Sequence, residues 1–181
     1  MSKNYFLISA SGKDRPGIVA AVTKVLFELG GNVEDSTMTR LGGEFTIMLI
    51  VSVPSSLSLP TLQKGLHPLG KKLALHVSVQ PMSAGLARGT RSEPHYLISI
   101  YGTDQAGIIY QVAKALADRR INITDLQTKS ITRGHAPLYV MLLEVQTPTA
   151  LDVDELRNEL ERLRQSLQVE LTLQDIEAIA L

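Results

Sequence analysis

The sequence predicts an α+β protein built from two βαββαβ units, and three observations carry that prediction. Residues 4–40 repeat at 94–130 with a constant offset of ninety. Each copy runs strand-like and helix-periodic apolar segments in the same order. Both copies also keep a polar turn at one spacing, with Gly12, Asp14, Gly17 and Asn32 matched by Gly102, Asp104, Gly107 and Asn122. A βαββαβ unit with right-handed crossovers makes a four-stranded antiparallel sheet with both helices on one face, the ferredoxin-like layout. The expected division is residues 1–82 for the first domain, 83–93 for a linker rich in Ser, Gly and Ala, and 94–181 for the second domain.

In the first copy, Tyr5–Ala10 reads as a short apolar strand. Asp14 then stands as a helix N-cap, with Pro16 accommodated in the first turn where its missing N–H has no helical partner. Ile18, Val19, Val22, Val25, Leu26 and Leu29 form one helical stripe, which Gly30 and Gly31 terminate. A strand over about 33–40 turns at Gly42-Gly43 and returns through Phe45, Ile47, Leu49 and Val51 on one face. Pro54 closes that strand, Leu62, Leu66, Leu69 and Leu73 stripe a second helix, and Leu75, Val77 and Val79 alternate along a last strand. The second copy follows with an offset of ninety-four after a longer hairpin turn at 132–137: Tyr139, Met141, Leu143 and Val145, then Leu156, Leu160, Leu163 and Leu167, then Val169, Leu171 and Leu173.

Met48 and Ile50, with Val140 and Leu142, point away from the helices. Apolar positions repeated on both outer faces, together with sheet edges that need partners, predict that the copies pair with each other or with a second chain as a homo-oligomer, burying these four side chains.

Apolar content of 44% and charged content of 20% fit a globular chain with material for two modest cores. The absence of cysteine excludes disulfides and thiolate metal sites. The start, Met1 to Phe6, has no long apolar stretch and no run approaches a membrane span, so a cytoplasmic protein without membrane contact is expected. Formal net charge is zero; eight Lys/Arg against five Asp/Glu in residues 1–82 fall short of a basic nucleic-acid face. His67, His76, His95 and His135 lie far apart without ligand spacing, so neither a metal nor a cofactor is expected. Asp152, Asp154 and Glu155 read as negative charge at a helix start, and no residue set combines nucleophile, base and oxyanion donors. The chain is therefore read as non-catalytic.

The segment Gly12-x-Asp14-Arg15-Pro16-Gly17-Ile18-Val19, followed by Leu29-Gly-Gly-Asn32-Val-Glu-Asp35, resembles the signature of ACT domains, small βαββαβ modules that bind amino acids. Two such repeats, with Asp35-Ser-Thr-Met-Thr-Arg-Leu-Gly-Gly-Glu44-Phe45 after the first, resemble the glycine cleavage system transcriptional repressor family. The resemblance covers nearly the whole chain. It implies an amino-acid sensor, with glycine as the ligand, that represses by contacting a transcription activator. A regulatory or assembly subunit of an amino-acid metabolic enzyme is the alternative, because similar pairs occur as enzyme appendages. The second copy departs from the pattern, with Gln105-Ala106 in place of Arg-Pro.

The expected ligand residues are Asp14, Arg15, Pro16, Gly17, Ile18 and Asn32 in the first copy, and Asp104, Gly107, Ile108 and Asn122 in the second. Asp14 as N-cap would accept from the Gly17 N–H, leaving N–H groups at a positive helix end that suits a carboxylate. Asn32 both donates and accepts, as the two charged groups of an amino acid require. Capping alone accounts equally well for the aspartates, and turn-holding is the plain alternative for the asparagines. The first helices carry one lysine each, Lys24 and Lys114, and neither resembles a recognition helix. The chain is thus predicted not to bind DNA by itself. A fluorescence anisotropy titration should detect no salt-dependent binding to duplex DNA at sub-micromolar protein, and such binding would overturn this reading.

Overall fold

The computed structural model describes residues 3–87, 95–133 and 136–176. The chain divides into two compact units, Met1–Thr90 and Arg91–Leu181. Unit one contains β1 (Lys3–Lys13), α1 (Ile18–Glu28), β2 (Asn32–Leu41), β3 (Glu44–Pro54), α2 (Leu59–Leu73) and β4 (His76–Met82), then a single turn, α3 (Ala84–Ala87). Its antiparallel sheet has the order β2-β3-β1-β4. Unit two contains β5 (His95–Thr103), α4 (Ile108–Ala117), β6 (Asn122–Arg133), β7 (Ala136–Gln146), α5 (Val153–Leu167) and β8 (Glu170–Asp175), in the order β6-β7-β5-β8. Each is a ferredoxin-like βαββαβ unit. The part of the expected linker at 88–93, the centre of the expected hairpin turn and His135 lie outside the described residues.

Period-two strands and period-3.6 helices meet in one core per unit. Phe45, Ile47, Leu49 and Val51 face inward from β3 onto Ile18, Val22 and Leu26 of α1 and Leu62, Leu66 and Leu69 of α2, all buried. In unit two Met141, Leu143 and Val145 meet Ile108, Val112 and Leu116 of α4 and the four leucines of α5. Gly42 and Gly43 both adopt positive φ, 59° and 85°, as a two-residue hairpin turn of type I′ demands. The α1 end is a Schellman cap: the Gly31 N–H donates to the Leu26 carbonyl at 2.8 Å and that of Gly30 to Phe27 at 3.0 Å. Unit two makes the same cap with Arg120 at φ 58° in the place of Gly30.

Two expectations about the repeated turn are corrected. β1 is longer than the sequence suggests, so Gly12 pairs with Phe45 inside the strand and is not part of the turn. Its bare Cα is a packing requirement: a Cβ there would sit 2.8 Å from the Ala74 carbonyl oxygen and 3.0 Å from Leu75 Cδ2. Gly102 meets the same restriction, 2.7 Å from Val169 Cγ1. Asp14 is not the N-cap either. Gly17 takes that place at φ 93° with no side-chain capping bond, and Gly107 does so at φ 92°. The left-handed glycine sits immediately before each helix and leaves the aspartate three residues upstream of the cap; Asp14 itself bonds elsewhere, its N–H to the Gly43 carbonyl at 2.9 Å and its carboxylate to Arg40. Pro16 therefore precedes the helix.

The outer face of each sheet carries apolar side chains. Met48 is 44% exposed, and Ile50, Val140 and Leu142 are half-buried. Asp35, Ser36 and Thr37 of β2 line a shallow groove with Leu7, Met48 and Ile50.

Gly102→Ala should destabilise the protein by about 1–3 kcal/mol, because Val169 stands where the methyl must go. Urea unfolding of the variant checks this; an unchanged midpoint would show that β5 and the start of β8 separate freely.

Candidate functional site

The turn between β1 and α1 is held from three directions. The Asp14 main chain is bonded to the hairpin at Gly43. The Asp14 Oδ2 accepts from Arg40 Nη1 at 3.2 Å, and Arg15 Nη2 donates to the Lys72 carbonyl at the end of α2, 3.4 Å away. Gly17, with no atom within 4 Å of its absent Cβ, supplies the left-handed residue that swings the chain into α1. The first α1 bond runs from the Ala21 N–H to the Gly17 carbonyl at 2.9 Å, so the N–H groups of Ile18, Val19 and Ala20 have no partner inside the helix.

Beside this turn lies a cleft of about 640 Å³. Asp14, Arg15, Pro16, Gly17 and Ile18 all line it, with Val19, Ala20 and Thr23 from α1, Met38 and Arg40 from β2, and Phe45. It thus combines a carboxylate, two guanidinium groups, a helix N-terminus and an apolar wall. Val19, Ala20, Thr23, Met38, Arg40 and Phe45 are not among the ligand residues expected from sequence. Met38 and Arg40 do fall within the segment 35–45 that carries the family resemblance. Their pairing opposite Ile47 and Phe45 puts them on the helix side of the sheet.

Asn32 is not part of this cleft. It pairs with Ser52, which pairs with Tyr5, at the opposite end of the sheet. That is roughly 30 Å of strand from Asp14. There Asn32 Nδ2 donates to Glu34 Oε1 at 3.2 Å, and the same oxygen accepts from the buried Ser52 hydroxyl and from Lys3 Nζ at 3.3 Å. The Ser52 hydroxyl, then the Asn32 amide and Lys3, hold the Glu34 carboxyl below the usual glutamate range. Glu34 is the extra residue of a β-bulge between Val33 and Asp35. A second pocket of about 490 Å³ opens here, lined by Lys3, Gly30, Asn32, Ser52 and residues 53–56. Within unit one, therefore, the expected residues form two separate loci.

Unit two repeats the backbone and changes the chemistry. Gln105 Nε2 donates to the Leu167 carbonyl at 2.6 Å, so glutamine ties the turn to α5 much as Arg15 ties its turn to α2. Ser130 stands opposite Tyr139 where Arg40 stands opposite Phe45. Among the described residues the Asp104 carboxylate has no partner. Asn122 pairs with Gln146 at its end of the sheet, and Thr124 replaces Glu34, donating to the Glu144 carbonyl at 3.2 Å. Gly107 and Ile108 keep the geometry of Gly17 and Ile18, with Ile108 buried.

Among the described residues no three His, Cys, Asp or Glu side chains gather as a metal site, and no helix is long and apolar enough to cross a membrane.

A duplicated βαββαβ fold with a glycine-led strand–helix turn in each copy defines a small tandem module, and comparison with known proteins agrees. The ACT domain family matches residues 4–80 and again residues 96–165. This chain belongs to the ACT-domain family and carries two ACT domains in tandem. It is 39% identical over 74 residues to a UPF0237 protein of Streptococcus mutans, covering 41% of this chain and 84% of that protein. It is 45% identical over 51 residues to the glycine cleavage system transcriptional repressor of Escherichia coli, a stretch that is 28% of this chain and 27% of the repressor. A solved structure of a proposed glycine cleavage system transcriptional repressor superposes with a TM-score of 0.68 at 20% identity, covering 98% of this chain and 99% of that one, which shows the shared fold.

Proposed function

We propose that this chain is a non-catalytic amino-acid sensor of the cytoplasm that represses glycine cleavage genes by contacting a transcription activator. Its ligand is a small amino acid, glycine first, held at the turn of residues 14–18. The observation that carries the proposal is the cleft of about 640 Å³ whose lining includes every one of those five residues. Free N–H groups at the start of α1 suit a carboxylate, Asp14 suits an ammonium, and Gly17 allows close approach. ACT domains generally bind amino acids. The identity of the regulated system draws its support from the Escherichia coli repressor, and the cleft itself has room for residues larger than glycine.

The turn in unit two, with Asp104, Gly107 and Ile108, is a second place of the same backbone form without the charge pair. Asn32 and Asn122 enter the proposal as polar positions at the far sheet ends. Asn32 is already engaged by Glu34, so its contribution depends on trading one partner for another. A ligand alters the surface offered to a partner only through unequal affinity for two arrangements, which makes ligand-dependent partner capture the functional readout.

A thermal-shift screen of the twenty amino acids should raise the melting temperature, most with glycine, because ligand binding to the native state adds stability by mass action. Gly17→Val should abolish that rise by straining the left-handed turn and crowding the cleft. No rise with any amino acid would overturn the sensor reading.

A further inference from the structure

We infer that Arg40 is the specificity-determining residue of the first cleft: with Asp14 it forms a charge pair that an amino-acid zwitterion splits, the ligand carboxylate taking Arg40 and the ligand ammonium taking Asp14. This rests on the amino-acid reading of the cleft and adds the residue that confers it.

Three observations carry the inference. Arg40 comes from β2, twenty-six residues from Asp14 in sequence, and reaches it over the start of β3 with a single bond from Nη1 to Oδ2 of 3.2 Å. Both residues line the cleft. The Arg40 side chain is 70% exposed and that of Asp14 30%, so the pair is an exposed one, of the kind that contributes little to folding and is readily exchanged. A guanidinium has five N–H donors in a planar fork that matches a carboxylate in two-point fashion. Among the described residues, Arg40 uses one of those donors. Splitting the pair with a zwitterion replaces one charge-assisted contact with two. The other guanidinium of the cleft, that of Arg15, is turned to the Lys72 carbonyl.

Unit two supplies the contrast. Its turn keeps the left-handed glycine and the aspartate, but Ser130 occupies the position of Arg40. Among the described residues, the second unit thus has no cation at the position of Arg40, and the arginine contact to the carboxylate of the turn belongs to the first unit.

Calorimetry on the full chain with glycine and with glycinamide, which keeps the ammonium and lacks the carboxylate, tests this directly. Wild-type protein should prefer glycine by at least about tenfold and bind one per chain. Arg40→Ser, which copies unit two, should lower glycine affinity by about 10–100-fold and erase the preference, with an unchanged urea midpoint; Arg40→Lys should keep part of the preference. Wild-type-like glycine affinity and an unchanged preference in Arg40→Ser would overturn the inference while leaving the cleft as the amino-acid site. No glycine binding by the wild-type protein would overturn the amino-acid reading beneath it, and the inference with it.

Discussion

The arrangement of each unit depends on one close approach, between the end of the first strand and the chain leaving the second helix. At Gly12 there is no space for a Cβ against Ala74 and Leu75, and at Gly102 none against Val169. This contact brings the end of β1 against the end of α2, and the turn that follows inherits its position. Arg15 and Gln105, different residues at one place in the repeat, both donate to carbonyls at the end of that helix. The strand–helix turn is thereby buttressed before any ligand contact is considered, which is the condition for low ordering cost on binding.

Much of this was legible in the sequence. The apolar stripes of α1, α2 and α5 and the alternation of β3 and β7 are local patterns, and the cores form from them. The paired glycines at 42–43 specify their turn by chirality alone. The role of Asp14 was not legible, because an aspartate ahead of a helix reads the same whether its carboxylate turns back to the helix or reaches across to another strand. The carboxylate of Asp14 reaches across to Arg40, and that approach is a tertiary fact. Gly12 read as a turn residue for a similar reason: the atoms that exclude a side chain there lie some sixty residues away. Arg120 shows the converse, a left-handed helix end without the glycine that would have announced it.

The two loci of unit one also differ in character. The polar cluster of Lys3, Asn32, Glu34 and Ser52 converges on one oxygen, Glu34 Oε1, which accepts from all three of its neighbours. Such a network favours a fixed local geometry at the β2 bulge. The cleft at residues 14–18 instead pairs a mostly exposed arginine with one carboxylate oxygen and leaves helix N–H groups without helical partners. The two ends of the sheet thus differ, one gathering several donors on a single carboxylate oxygen and the other holding one exposed ion pair. The duplicated fold has kept Gly12 and Gly17 as Gly102 and Gly107, and among the described residues the ion pair is present in the first copy alone.

The most direct test of this account is an amide-resolved NMR titration of the full chain with glycine. The account predicts concentration-dependent shifts at Gly17, Ile18, Val19 and Ala20 together with Arg40, and no comparable shifts at Gly107 and Ile108. Shifts confined to Asn32 and residues 52–56, or of equal size in both turns, would contradict it.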